Sequence, residues 1–153
     1  MTSMKDKVVV ITGGAGMIGH AAAMTLARAG ADVMLVDING AGLAARRGAV
    51  AALGGRVETF VADVSKSAEV QAYVARALEV FGRIDGFFNN AGMEGKLGPI
   101  YEYDEAEYDR IVAVNQKGIF LGLRYVLPVM LRQGQGAAIH GPGCAIHEAC
   151  SRG

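Results

Sequence analysis

The sequence predicts an α/β domain built on a parallel, doubly wound sheet, and three observations lead there. Short apolar runs alternate with amphipathic helical patterns along the whole chain. The composition is 52% hydrophobic with a mean hydropathy of +0.28, which suits strands covered on both faces. The length of 153 residues is that of a single domain with a sizeable core, and no linker, repeat or low-complexity stretch divides it.

The elements follow in order. Lys7 to Thr12 (KVVVIT) is a β-branched run ending in glycines, the pattern of a buried strand. Met17 to Ala29 reads as a helix of small and apolar residues, with Arg28 in its last turn and Gly30 as its C-cap. Asp32 to Asp37 (DVMLVD) is a second strand, and Ala41 to Leu53 a weaker helix closed by Gly54 and Gly55. Arg56 to Ala62 is a third strand. Ser65 is expected to cap the next helix, whose apolar Val70, Val74, Leu78 and Phe81 recur at helical spacing before Gly82 stops it. Ile84 to Asn89 (IDGFFN) is a fourth strand, followed by a glycine-rich loop. Asp104 and Glu107 resemble a capping box opening a long helix to about Arg132, and a fifth strand starts near Ala137. Strands alternating with helices imply right-handed crossovers.

Charge and cysteine content narrow the function classes. Fifteen Lys and Arg balance fifteen Asp and Glu, so nothing marks a nucleic-acid partner. The first apolar run, five residues after a polar start, is far too short for a signal core or a membrane span. No membrane partner is expected, and the cytoplasm is the expected location. Both cysteines fall in the last ten residues and give no disulfide framework.

The chemistry begins at the first strand-to-helix turn. Thr12 to Gly19 reads T-G-G-A-G-M-I-G, in which Gly14, Gly16 and Gly19 satisfy G-x-G-x-x-G. Such glycines allow a tight turn, a close approach of backbone to a pyrophosphate, and close helix-strand packing. The helix start adds free N–H groups and the positive end of its dipole. In a chain with 22 glycines the pattern alone could serve a structural turn. Its context of strand before and helix after favours a dinucleotide, and so does Asp37, 21 residues beyond Gly16 and placed to hold a ribose. Asp37 could otherwise be an ordinary strand-end polar residue.

Together these residues resemble the short-chain dehydrogenases/reductases, and the resemblance runs from about Lys5 to Gly136. Asp63-Val64 resembles the family's adenine-contacting pair, Asn89-Asn90-Ala91-Gly92 its Asn-Asn-Ala-Gly loop, and Asn115 the helix asparagine of its catalytic tetrad. The resemblance implies a Rossmann-type sheet of order 3-2-1-4-5, incomplete at its C-terminal end. It implies a cofactor set of Gly13, Gly14, Gly16, Met17, Ile18, Gly19, Asp37, Asp63, Val64, Asn89, Asn90, Ala91 and Gly92, with Asn115 as the catalytic member. It also implies hydride transfer between a nicotinamide and a secondary alcohol or ketone, and pairing of copies through the helix at 105–132. Met93 to Ile100 is similar to reductases of cyclic ketones. With Asp37 in place, and no arginine at Ile38 or Asn39, NAD is expected over NADP.

Some residues have structural readings beside these. Asn89 and Asn90 could be turn residues, and Asp63 could favour the dipole of the helix after it. Asn115 shares a mostly apolar helical face with Tyr108, Ile111, Gly118, Gly122 and Tyr125, where its amide must find partners. Met17 stands where the shorter-chain branch of the family has a glycine, and the spacing T-G-x-x-G-x-x-G resembles the longer-chain sugar-nucleotide epimerases and dehydratases. The Asn-Asn-Ala-Gly loop argues for the former, and against a methyltransferase using S-adenosylmethionine. A non-catalytic dinucleotide-binding fragment is the remaining alternative.

The end of the chain departs from the family. None of Tyr73, Tyr101, Tyr103, Tyr108 and Tyr125 has a lysine four residues on, as the family's Tyr-x-x-x-Lys requires, and Cys144 falls where its serine belongs. A phenol titrating near ~10 needs a neighbouring cation to act as a base at neutral pH, so the chain as given is expected to be inactive; with the edge of the fifth strand left uncovered, it is also expected to be only marginally stable. After Ile139 the composition changes within one residue. His140 to Gly153 holds both cysteines and two of the three histidines. His140, Cys144, His147 and Cys150 look like a zinc set, but they crowd into eleven residues with no second pair elsewhere, and no metal is expected. Residues 1–139 are therefore read as a partial dinucleotide-binding domain. Residues 140–153 are read as a disordered or out-of-frame tail, rich in the Gly, Pro, Ala, Arg, Cys and His that a GC-rich gene yields out of frame.

Overall fold

The structure, a computed structural model, describes residues 3–141 and 147–148. Its strands are β1 (Val8–Thr12), β2 (Asp32–Asp37), β3 (Val57–Val61), β4 (Gly86–Asn89), β5 (Ala137–His140) and β6 (His147–Glu148). Its helices are α1 (Met17–Arg28), α2 (Gly40–Ala51), α3 (Ser67–Phe81), α4 (Glu105–Val112) and α5 (Gly118–Gln133). The sheet runs β3-β2-β1-β4-β5-β6, and its first five strands pair in parallel. That is the Rossmann-type order the sequence predicts. The sixth strand was not expected: it pairs antiparallel with β5, Ala137 opposite Glu148 and Ala138 opposite His147.

Alternation along the strands sorts the core into two layers, because successive side chains leave a strand on opposite faces. Val8, Val10, Met34, Val36 and Phe87 pack with Tyr73, Val74, Val126 and Met130 of α3 and α5. Val9, Ile11, Val33 and Leu35 pack with Ala23, Ala27, Leu43 and Val50 of α1 and α2. All five residues of β1 are buried, so the strand is apolar on both faces until Thr12, whose hydroxyl must therefore be hydrogen-bonded inside the protein.

Three local expectations are corrected. Ser65 does not cap α3: its hydroxyl donates to Asp63 Oδ1 at 2.6 Å, and the cap position falls to Lys66, which makes no side-chain cap bond. The C-cap of α1 is Ala29, and Gly30 stands one residue beyond it. The long helix runs unbroken from Glu105 to Gln133 as expected, but residues 113–117 widen into a π-type turn between α4 and α5. Only half of the expected capping box forms at its start. Asp104 accepts from the Ala106 N–H at 3.0 Å, while Glu107 pairs forward with Arg110 instead of reaching back. Gly82 and Gly134 close α3 and α5 in the left-handed conformation, as glycines do most readily.

At the end of the sheet away from the glycine turn, Asp85 ties β4 to β1. It accepts from Arg83 at 2.8 and 2.5 Å and from the Val8 N–H at 3.0 Å, with Lys7 3.7 Å away. Burial works to raise its carboxyl, but the Arg83 and Val8 hydrogen bonds and the charges of Arg83 and Lys7 outweigh it and hold it below the usual carboxylate range.

Candidate cofactor site

The C-terminal ends of β1, β2, β3 and β4 converge on one cleft, the place where open α/β sheets take ligands. After Thr12 the chain turns through Gly13, whose φ of +69° suits a glycine, and a Cβ there would come within 2.8 Å of Asn90 Nδ2. The Gly14 N–H donates to Val36 O at 3.0 Å and the Gly16 N–H to Gly13 O at 3.1 Å, which closes the turn. A Cβ at Gly19 would run into the Gly13 carbonyl, so the third glycine sets the approach of α1 to the turn. The first N–H groups of α1 have no partner within the helix. Gly13, Gly16, Met17, Ile18, Asp37, Asn90 and Gly92 enclose a hollow of about 270 Å³ beside them.

Asp37 sits at the far end of β2. Its carboxylate accepts from the Ala15 N–H at 3.0 Å and the Asn39 N–H at 2.9 Å, so the glycine turn and the following loop both orient it. It lines a cleft of about 460 Å³ together with Gly13, Ile38, Asp63, Val64, Ala91, Gly92, Arg110, Ala113 and Val114. Asp63 also closes the start of α3 by accepting from the Ser65 N–H at 3.0 Å, with Lys66 Nζ at 3.6 Å. Burial acts to raise its carboxyl. The Ser65 hydrogen bonds and the Lys66 charge prevail and lower it. Asp63 thus braces the turn into α3 and also lines the cleft. Val64 packs onto the start of α5, where a Cβ at Gly118 would come within 2.9 Å of Val64 Cγ2.

The asparagine loop is braced from beneath by Thr12. The Thr12 hydroxyl accepts from the N–H groups of Asn90 and Ala91, each at 3.0 Å, and donates to Asn89 Oδ1 at 3.3 Å. Asn89 is buried, and its Nδ2 donates to Ile119 O at 3.0 Å, so its side chain ties β4 to α5, while the residue also lines the hollow beside Asn115. Asn90 Nδ2 donates to Thr12 O at 3.2 Å. Asn115 sits in the wide turn, with both ends of its amide on the backbone of one residue, Met93. Oδ1 accepts from the Met93 N–H and Nδ2 donates to Met93 O, each at 2.9 Å. It thereby fixes the loop along a second hollow, of about 360 Å³, lined also by Ile18, Asn90, Gly92 and Glu94. A π-type turn splays the backbone, a geometry common at functional positions.

The fold therefore brings Gly13, Gly16, Met17, Ile18, Asp37, Asp63, Val64, Asn90, Ala91 and Gly92 to one opening, with Asn115 at its far end. Asn89 borders it too, with its amide tied to α5, and Gly14 and Gly19 stand behind it as support. Thr12, Ile38, Ser65 and Arg110 were missed. A lone threonine closing a buried apolar strand is a readable signal for the first; nothing in composition or spacing marks the others. Cys144 and Cys150 lie outside the described residues, as does the His147 side chain, so the zinc set does too.

A family model described as short chain dehydrogenase matches residues 7–140. The chain is 49% identical over 141 residues to levodione reductase of Leifsonia aquatica, an alignment covering 91% of this chain and 53% of that protein. It superposes on the crystal structure of a levodione reductase with a TM-score of 0.86 and 48% identity, covering 89% of this chain and 54% of the other. With the structure of NAD+-bound xylitol dehydrogenase the TM-score is 0.88 at 32% identity, covering 90% and 53%. The chain spans about half the length of the relatives it matches. Through that half, its sequence and its fold make it a member of the short chain dehydrogenase family.

Proposed function

We propose that the chain is the NAD-binding part of an oxidoreductase that moves a hydride between nicotinamide and a secondary alcohol or ketone. The observation that carries this is the Asp37 carboxylate, held by two backbone N–H groups at the rim of a cleft that also contains the glycine turn. A fixed acceptor there takes the two ribose hydroxyls of NAD and repels a 2′-phosphate, so NAD is favoured over NADP. The cradle fits a dinucleotide: Gly13 turns with φ +69° where a Cβ would press on Asn90 and Ala91, and the hollow beside the start of α1 leaves its N–H groups free to take a diphosphate. Asn115 holds the Met93 backbone along the reacting end. When bound, the nicotinamide supplies or accepts the hydride.

The proton step needs an acid or base that no Tyr-x-x-x-Lys of this chain supplies, so the 153-residue chain on its own turns over no substrate. The name of the levodione reductase relative favours a cyclic ketone as substrate of the whole protein. The T-G-x-x-G-x-x-G spacing favours a second reading, a sugar-nucleotide epimerase or dehydratase. Tyr108, Phe120 and Leu131 are exposed along α4 and α5 and support pairing of two copies there. Among the described residues no helix is long and apolar enough to cross a membrane, and we place the enzyme in the cytoplasm. The test is a titration with NADH and NADPH of the wild-type chain and of Asp37→Ala. Tighter NADH binding, lost in the variant, is expected. Tighter NADPH binding, or an Asp37→Ala variant that binds NADH as well as the wild type, overturns the reading.

A further inference from the structure

We propose that Arg110 is an adenine-contacting residue of the cofactor cleft and that Glu107 positions it; this rests on the reading of the cleft as a dinucleotide site. Arg110, Ala113 and Val114 are spaced three and four apart, so they lie on one helical face, and all three line the 460 Å³ cleft. They form the wall contributed by α4 and the wide turn, across from Asp37 and Asp63 at the strand ends. Arg110 is the only cation among the described residues lining that cleft, which otherwise holds two carboxylates.

The side chain is aimed rather than free. Its guanidinium pairs with the Glu107 carboxylate one turn earlier, and the two differ greatly in exposure, 66% for Arg110 against 12% for Glu107. An anchored acid thus holds an exposed, planar cation at the mouth of a slot with apolar walls, among them Ile38 and Val64. A neutral aromatic ring with accessible π faces fits that slot, because a guanidinium stacks on such a face while apolar groups cover the rest. A phosphate does not fit as well, since Asp37 and Asp63 share the cleft and repel it. Of the parts of NAD, this describes the adenine.

The experiment measures binding of NADH, AMP, adenosine 2′,5′-bisphosphate and reduced nicotinamide mononucleotide. It uses the full 153-residue chain, as wild type and as Arg110→Ala, Arg110→Lys and Glu107→Gln. Arg110→Ala is expected to weaken AMP and NADH roughly two- to fivefold, the range of an exposed cation–π contact, and to leave the mononucleotide unchanged. Arg110→Lys should keep part of the affinity as a point charge without the planar stack, and Glu107→Gln should lose part of it. Equal binding of AMP by wild type and Arg110→Ala overturns the assignment. So does a loss confined to the bisphosphate, which would make Arg110 a phosphate reader. If the wild type binds neither NADH nor AMP, the dinucleotide reading itself falls and this inference with it.

Discussion

Replacing Thr12 by valine keeps the shape of the side chain and deletes the one hydroxyl on which the asparagine loop rests. In the native protein that oxygen accepts from the Asn90 and Ala91 N–H groups and donates to Asn89 Oδ1, in a fully buried position. The Asn90 N–H keeps a second acceptor, Phe88 O at 3.0 Å, so the principal loss falls on the Ala91 N–H and on Asn89. A buried donor stripped of its partner costs about 1–3 kcal/mol, and the isosteric exchange adds little cavity, so Thr12→Val should destabilise by about 2–3 kcal/mol. Thr12→Ser keeps the hydroxyl and loses one buried methyl, worth about 1 kcal/mol. Urea unfolding followed by far-UV circular dichroism should therefore rank wild type above Thr12→Ser and Thr12→Ser above Thr12→Val, and NADH affinity should follow the same order. A Thr12→Val variant as stable as Thr12→Ser would refute the brace.

Other consequences are as direct. The Tyr73 hydroxyl is fully buried with no hydrogen-bond partner among the described residues, and burial pushes its pKa well above the usual phenol value; Tyr73→Phe should leave stability unchanged or raise it by about 1 kcal/mol in the same urea experiment, and a clear loss would reveal a partner. Asp85 has a folded-state carboxyl below the usual range, so its contribution is present above the ordinary carboxylate range and is lost as pH falls through it towards the folded value. Asp85→Asn should cost about 2 kcal/mol at neutral pH and flatten the acid limb of a stability-against-pH curve, whereas an unchanged limb would exclude Asp85 as its source. Read in its other two frames, the gene should show a serine near codon 144 and a Tyr-x-x-x-Lys about a dozen codons on; their absence from both frames would leave the segment after Ile139 to be explained as a sequence in its own right.

Much of the fold was legible because its signals are local. β2 begins and ends at Asp32 and Asp37 as the apolar run predicts, and Gly82 stops α3 where it should. The strand order followed from the motifs. What escaped the sequence depends on competition between partners. Ser65 has the right chemistry for a cap, but Asp63 lies two residues away and takes its hydroxyl. The apolar stripe of the 105–132 segment is nearly continuous, so the wide turn at Asn115 is invisible until the Met93 peptide is brought against it. Of the two adjacent asparagines, identical in sequence terms, one commits its amide to Ile119 of α5 and the other to Thr12 of β1. Arg110 reads on paper as one more solvated helix charge, and only the placement of α4 over the strand ends puts it in the cleft.

This chain is expected to bind a dinucleotide and, having no Tyr-x-x-x-Lys, to leave the reaction incomplete. Both halves can be read in one cuvette, by titrating the purified chain with NADH, following the fluorescence of the bound nicotinamide, and then adding a cyclic ketone. Saturable binding followed by no consumption of NADH above a buffer blank is the result predicted. No saturable binding, or steady NADH consumption by the chain alone, would contradict it.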